Sequence, residues 1–176
     1  DAVPMSVAFR LALIEHIEPS LIGKTPIAEL INKVLVIIAA NQGDAYITSM
    51  SKAGAYGQFQ FIPKTYASMV NSYSAANLTS VFRRGMRDHL NAAKASLLLF
   101  DSDLAVAGPS LRYALRASPY DLALYLAAAY NGGAGRAVRA IEKDKVGFVG
   151  GTWRQYLLPE TRNYLDKIEE VNKVLK

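Results

Sequence analysis

Polar residues able to do chemistry concentrate in three short stretches of this chain. In the first, Gln42 follows the apolar run Val34–Ala40. Residues 43–60 are then rich in Gly, Ser, Ala and Tyr and end in Gly54-Ala55-Tyr56-Gly57-Gln58-Phe59-Gln60. Such composition permits tight turns and lets backbone approach a ligand closely. In the second, Tyr130 and Asn131 stand between an apolar run and the pair Gly132-Gly133. The third is Leu158-Pro159-Glu160-Thr161-Arg162-Asn163-Tyr164, with Glu160 its one carboxylate. The chemistry on offer is hydrogen bonding by Ser51, Gln60 and Asn131, and proton transfer by a carboxylate. Asp44 is the carboxylate nearest Gln42 in sequence. Gln42 itself has the shape and hydrogen-bonding atoms of a glutamate, but its amide has no proton to transfer near neutral pH. The chain has no cysteine, which excludes disulfides, thiol catalysis and thiolate metal sites. His16 and His89 are isolated and make no metal-ligand spacing. No metal or cofactor is expected.

These stretches resemble, in order, the motifs of the lytic transglycosylase family, the lysozyme-like enzymes that cut bacterial cell-wall glycan strands. The family reads Glu-Ser, a loop, then Gly-Ala-x-Gly-Leu-Met-Gln-x-x-Pro-x-Thr. Gly54, Ala55, Gly57, Gln60, Pro63 and Thr65 match, and Ser51 matches a Ser ahead of the first Gly. The position of the catalytic Glu is held by Gln42, and Gly43 replaces the Ser that usually follows it. Tyr130-Asn131-Gly132-Gly133-Ala134-Gly135 is similar to Tyr-Asn-Ala-Gly-x-Gly, and the third stretch to Pro-x-Glu-Thr-Arg-x-Tyr.

The resemblance implies one general acid, which protonates the leaving oxygen while the muramic acid 6-hydroxyl closes on its own anomeric carbon. The bond cut would be the β-1,4 link between N-acetylmuramic acid and N-acetylglucosamine, giving a 1,6-anhydro product. Tyr130 would lie against the acid. Ser51, Tyr56, Phe59, Gln60, Asn131 and Glu160 would contact sugar, with Tyr56 and Phe59 offering ring faces. Each also has a plain structural role open to it: Tyr130 and Phe59 as core aromatics, Glu160 as a first-turn carboxylate suited to the helix dipole, Gln42 as a polar helix end. A Glu at position 42, buried beside Ala39, Ala40 and Tyr130, would titrate above an ordinary carboxyl. The Gln is either an introduced Glu→Gln change or the mark of a natural relative that binds without cutting. Hydrolysis, as in goose-type lysozymes, is the alternative reaction, and a non-catalytic peptidoglycan-binding module the alternative class.

Length and charge fit this. At 176 residues the chain predicts one domain, with residues 1–24 an extension of unknown role. Half the residues are hydrophobic, yet no apolar run is long enough for a membrane span. The net charge of +5 favours acidic polymers. The basic residues gather only in Arg83, Arg84 and Arg87 and, more weakly, Arg136 and Arg139. The acidic candidates are peptidoglycan with its peptide carboxylates, nucleic acid or an anionic membrane surface. Neither basic group is interleaved with stacking aromatics as in single-strand binders, and the resemblance implies peptidoglycan strands, not nucleic acid, as the partner. A start at Asp1 without initiator Met predicts a trimmed chain, and the resemblance implies a periplasmic, cell-envelope or extracellular setting.

The elements that must position these residues are helical almost throughout, predicting an all-α, lysozyme-like fold with room for a short hairpin in residues 43–60. Met5–Ile17 is amphipathic. Thr25 reads as a cap with Pro26 opening a helix that carries Ile27, Leu30, Ile31, Val34, Leu35 and Ile38 to its end at Gln42. Val34–Ala40 and Leu122–Tyr130 both read as buried helix. Pro63 opens a helix to about Val70. Val81–Leu99 reads as helix interrupted near Gly85, and Asp101–Ser118 as irregular around Gly108-Pro109 with a short helix at Leu111–Arg116. Ser118-Pro119 starts a central helix ending at Gly132-Gly133. A short helix at Arg136–Lys143, a loop at Val146–Gly151 and a last helix from Pro159 follow.

Overall fold

A computed structural model describes residues 5–144 and 149–175. The protein is all-α. Among the described residues the β pairing consists of isolated bridges, with no sheet. None of the described helices is long and apolar enough to cross a membrane. The chain forms two compact units, one reaching Leu98 and the other Leu99–Lys173.

In the first unit, α1 (Met5–Ile14) packs on α2 (Ile27–Asn41). Val7, Leu11, Leu13 and Ile14 of α1 and Leu30, Ile31 and Val34 of α2 are buried. The N-terminal segment therefore supplies core, although residues 1–4 lie outside the described residues. Thr25 does not cap α2. Its N–H bonds the Leu21 carbonyl at 2.9 Å, closing the preceding turn, and Pro26 takes the cap position. The apolar run Val34–Ala40 is not buried as a whole. Val34 is, but Val36 is 64 % and Ile37 42 % exposed, and Ala39 and Ala40 are exposed too. At 3.6 residues per turn Val36, Ala39 and Ala40 point away from the stripe that Leu30, Ile31 and Val34 bury, whereas Ile37 continues that stripe one turn beyond Val34 and is exposed there.

Next come α3 (Pro63–Ser72), α4 (Phe82–Arg87) and α5 (His89–Val106). The break between α4 and α5 falls at Asp88, not at Gly85. The Asp88 carboxylate accepts the Asn91 N–H at 3.0 Å and so caps α5. Asp101–Ser118 is not irregular. Helix α5 runs on to Val106, and α6 (Gly108–Ala117) starts at once, with Pro109 in its first turn.

In the second unit α7 (Pro119–Gly132) is central, and α6 and α8 (Ala134–Lys143) pack on it. Leu122, Leu124, Tyr125, Leu126 and Ala127–Ala129 are buried. Ser118 caps α7: its hydroxyl oxygen accepts the Asp121 N–H at 3.4 Å and donates to the Asp121 carboxylate at 2.6 Å, which in turn accepts the Gly150 N–H at 3.2 Å. Of the loop expected at 146–151, residues 146–148 lie outside the described residues. A 3-10 turn at Thr152–Tyr156 buries Trp153 and leads to α9 (Pro159–Val174), whose Tyr164, Ile168 and Val171 are buried.

One polar residue ties the first unit together. The Asn91 amide donates to the Tyr66 hydroxyl at 2.8 Å and to the Gly85 carbonyl at 3.0 Å, and its oxygen accepts the Thr79 N–H at 2.9 Å. Tyr66 completes the knot by donating to the Thr79 carbonyl at 2.6 Å. Asn91 is 7 % exposed, so its loss leaves buried groups without partners, each worth about 1–3 kcal/mol. Asn91→Ala is expected to destabilise the chain by about 3 kcal/mol in urea denaturation; a change below about 1 kcal/mol would show that water replaces the amide.

Candidate functional site

Two of the three sequence motifs share a unit. Gln42, Ser51, Tyr56, Phe59 and Gln60 belong to the first unit, and Tyr130, Asn131 and Glu160 to the second.

Gln42 ends α2, as the sequence predicts, and opens a 3-10 turn to Asp44. Its backbone has φ 48° and ψ −119°, a region that suits glycine and costs other residues about 1–3 kcal/mol. Tyr46 and Gln60 also have positive φ, at 58° and 49°. Three of the four non-glycine residues with positive φ among the described residues thus lie in this stretch, the fourth being Asn77. Gln42 is exposed, and its amide has no hydrogen-bond partner among the described residues. The expected burial beside Ala39 and Ala40 is absent, because both alanines lie on the exposed face of α2. A raised pKa for a Glu here therefore has no basis in burial by these residues.

The loop after Gln42 is built by its own polar groups. Ser51 closes a tight turn: its hydroxyl accepts the Ala55 N–H at 3.1 Å, and its N–H bonds the Ala55 carbonyl at 2.9 Å. Isolated antiparallel bridges join Met50 to Tyr56 and Tyr56 to Phe61. The Gln60 amide donates to the Gly57 carbonyl at 2.8 Å. Tyr56 and Phe59 are 8 % and 6 % exposed, so their faces are turned into packing. The Tyr56 ring lies 6.2 Å from that of Phe82, and the Arg83 guanidinium sits 5.7 Å from its centroid, an arrangement favourable to a cation. Gly57, at φ 78°, lies so close to α4 that a Cβ would stand 2.7 Å from the Met86 carbonyl oxygen, so no other residue fits there without a shift of backbone.

Sequence reasoning missed the role of His16. Its ring stacks on Tyr46 at 3.7 Å between centroids, and its Nε2 lies 2.9 Å from the Gln58 carbonyl. One imidazole thereby joins the end of α1 to both limbs of the loop. Burial lowers the His16 pKa below its ordinary value, opposed in part by the Gln58 bond. The neutral ring, with the proton on Nε2, is the form that fits.

In the second unit, Tyr130 and Asn131 occupy the last turn of α7, half-buried, with the Tyr130 ring 6.0 Å from Phe100. Gly132 follows, and a Cβ on it would stand 2.8 Å from the Thr161 hydroxyl. This close approach joins the second motif to the third. Glu160 is exposed in the first turn of α9, a favourable place for a negative charge. Among the described residues no group of acidic, His or Cys side chains is arranged to hold a metal ion.

The second missed residue is Asp103, 8 % exposed on α5, with its Oδ2 enclosed and unpartnered. Burial pushes its pKa up to about 7. That value would suit a general acid, but the enclosed oxygen cannot reach a ligand. No protein-family model matches this chain, and no curated protein does so either.

Two predictions follow from this geometry. Gln42→Gly is expected to stabilise the chain by about 1 kcal/mol, the relief of strain outweighing the added chain entropy. Loss of stability in urea denaturation would show that the Gln42 backbone is unstrained. Asp103 keeps its proton in the folded state up to about pH 7, whereas the unfolded carboxyl loses it near 3.8. The folded state therefore binds more protons across that window, and stability falls as pH rises through it. Relative to Asp103→Asn, the native chain should lose on the order of 3 kcal/mol between pH 4 and pH 8. Parallel stability profiles for the two would remove the buried charge as the cause.

Proposed function

We propose that this chain is a peptidoglycan-directed, lysozyme-like domain of the lytic transglycosylase type, in which Gln42 stands at the general-acid position and leaves the chain as given almost inactive. The observation that carries the reading is the order of the three motifs together with the placing of Gln42. It ends a long helix, is open to solvent and carries strained backbone, while the Gly54–Gln60 loop that follows in sequence is fixed by its own hydrogen bonds. A helix end is a firm support for a reacting group, and strained backbone of this kind clusters at functional sites. The net charge of +5 suits a polymer with peptide carboxylates.

In this reading the reaction is transfer within the substrate. A Glu at position 42 would give its proton to the glycosidic oxygen as that bond breaks. It would then accept the proton of the muramic acid 6-hydroxyl as the anhydro ring closes, so that no water is consumed. An amide can do neither step. A second reading, a module that binds glycan without cutting, is favoured by the exposure of Gln42 and of the alanines beside it, since no apolar setting by α2 is there to hold a carboxyl protonated.

The chain and its Gln42→Glu variant incubated with purified peptidoglycan test both. The variant is expected to release soluble fragments at least about 10²-fold faster, the usual scale of general acid help. Mass spectrometry should find anhydro ends; reducing ends, heavier by one water, would indicate hydrolysis. Binding of the strands by both proteins with cleavage by neither would establish the non-catalytic reading.

A further inference from the structure

The weaker basic cluster of the sequence becomes a cleft in the second unit. Arg136, Arg139 and Lys143 lie at spacings of three and four along α8, which puts them on one helix face. Together with Tyr156, Leu157 and Leu158, from the segment that leads into α9, they line a cleft of about 230 Å³. Arg136 donates to the Gly132 carbonyl at 3.1 Å, which anchors it at one end. Arg139 and Lys143 have no hydrogen bond or ion pair among the described residues. The one acidic residue of α8, Glu142, does not line the cleft, and the Asp144 carboxylate that follows accepts the Thr152 hydroxyl at 2.5 Å.

Three cations on one face with no carboxylate between them repel one another, by a few tenths of a kcal/mol for each pair. Arg136 also stands in the first turn of α8, where the helix dipole disfavours a cation. Elsewhere in this unit the opposite is found: Arg154 is paired with Asp166 and with Glu169. The unpaired face therefore has an attraction for negative charge that the protein itself does not satisfy. Guanidinium groups bind carboxylate and phosphate through paired N–H donors. Tyr156, 45 % exposed, and Leu158, 53 % exposed, add apolar wall at the mouth.

We propose that this cleft is a binding site for an oxyanion, carboxylate or phosphate, carried on a short apolar stem. Its volume suits one such group. The site stands on α8 and the turn before α9 alone and does not rest on the cleavage reading of Gln42.

The test is a nuclear magnetic resonance titration of the full chain at low ionic strength, with inorganic phosphate in one arm and glutarate in the other. Saturable shifts confined to α8 and residues 152–158 are expected in at least one arm, and the stronger arm names the anion. The double variant Arg139→Gln, Lys143→Gln should weaken binding by roughly tenfold or more. Arg84→Gln, Arg87→Gln removes the same charge from exposed positions of α4 and should change affinity by less than about twofold. Shifts that stay linear in both arms would overturn the site. So would equal weakening in the two double variants, which would reduce the effect to net charge. All four side chains are exposed, so far-UV circular dichroism should show both variants folded.

Discussion

The geometry of the first unit hangs on the hydrogen bonds of Asn91. This amide fixes Gly85 and Tyr66, and so fixes α4 against α3 and against the connector at Thr79. The Met86 carbonyl, next along α4, is the surface on which Gly57 rests. Gly57 sits in the turn that carries Tyr56 and Gln60, and Gln60 returns a bond to Gly57. The loop that looks like a binding loop is therefore placed by a chain of polar contacts that starts in a buried amide far from it in sequence. Buried amides of this sort are costly when half satisfied and specific when satisfied in full. Here both ends of the Asn91 side chain are used.

Electrostatics divides the molecule into groups with settled partners and groups without. Arg154 has two carboxylates, and Asp121 has Ser118 and Gly150. Against these stand the cations of the α8 face and the buried Asp103. Two of the groups shifted by burial, His16 and Asp103, act in opposite directions. His16 has a lowered pKa, so its contribution is lost as pH falls below the ordinary histidine range. Asp103 has a raised one, so its contribution is lost as pH rises toward 7. Across the acid side of neutrality the two therefore oppose each other: falling pH loosens the first unit through His16, and rising pH loosens the second through Asp103.

Much of the fold was legible in local chemistry. Pro63, Ser118-Pro119 and Pro159 mark helix starts, and Gly132-Gly133 marks a stop, because fixed φ, a capping hydroxyl and left-handed backbone are properties of single residues. Errors arose where the outcome depends on what lies against a residue. Val34–Ala40 is apolar by composition, but α2 is covered on one face only and not to its end, so Val36 on the far side and Ile37 past Val34 stay exposed. Gly85 looked like a helix break; it is instead the small residue that lets Tyr66 and Asn91 approach α4, and the break falls at Asp88, whose side chain caps the next helix. The site followed the same rule. Motif spacing put Gln42 at a helix end and Ser51 in a turn, but Tyr56 is turned inward against Phe82, and Phe59 is buried as well. His16 and Asp103 were invisible, since nothing in their local sequence records the partners that bury them.

The backbone at Gln42 bears on what that residue is for. A glycine would adopt φ 48° and ψ −119° with less strain, and the Gln42 amide has no hydrogen-bond partner among the described residues in return for that strain. Nor is the side chain buried, so it fills no space in the core. The side chain is held by no described group of the protein and stands in solvent, where it contributes nothing to the frame of the loop. The same is not true of Ser51 and Gln60, whose side chains already brace the loop, so both would be needed for shape even with nothing bound. Position 42 is thus set apart within the first unit: its backbone carries strain that its side chain does not offset, whereas Ser51 and Gln60 act as the frame of the loop.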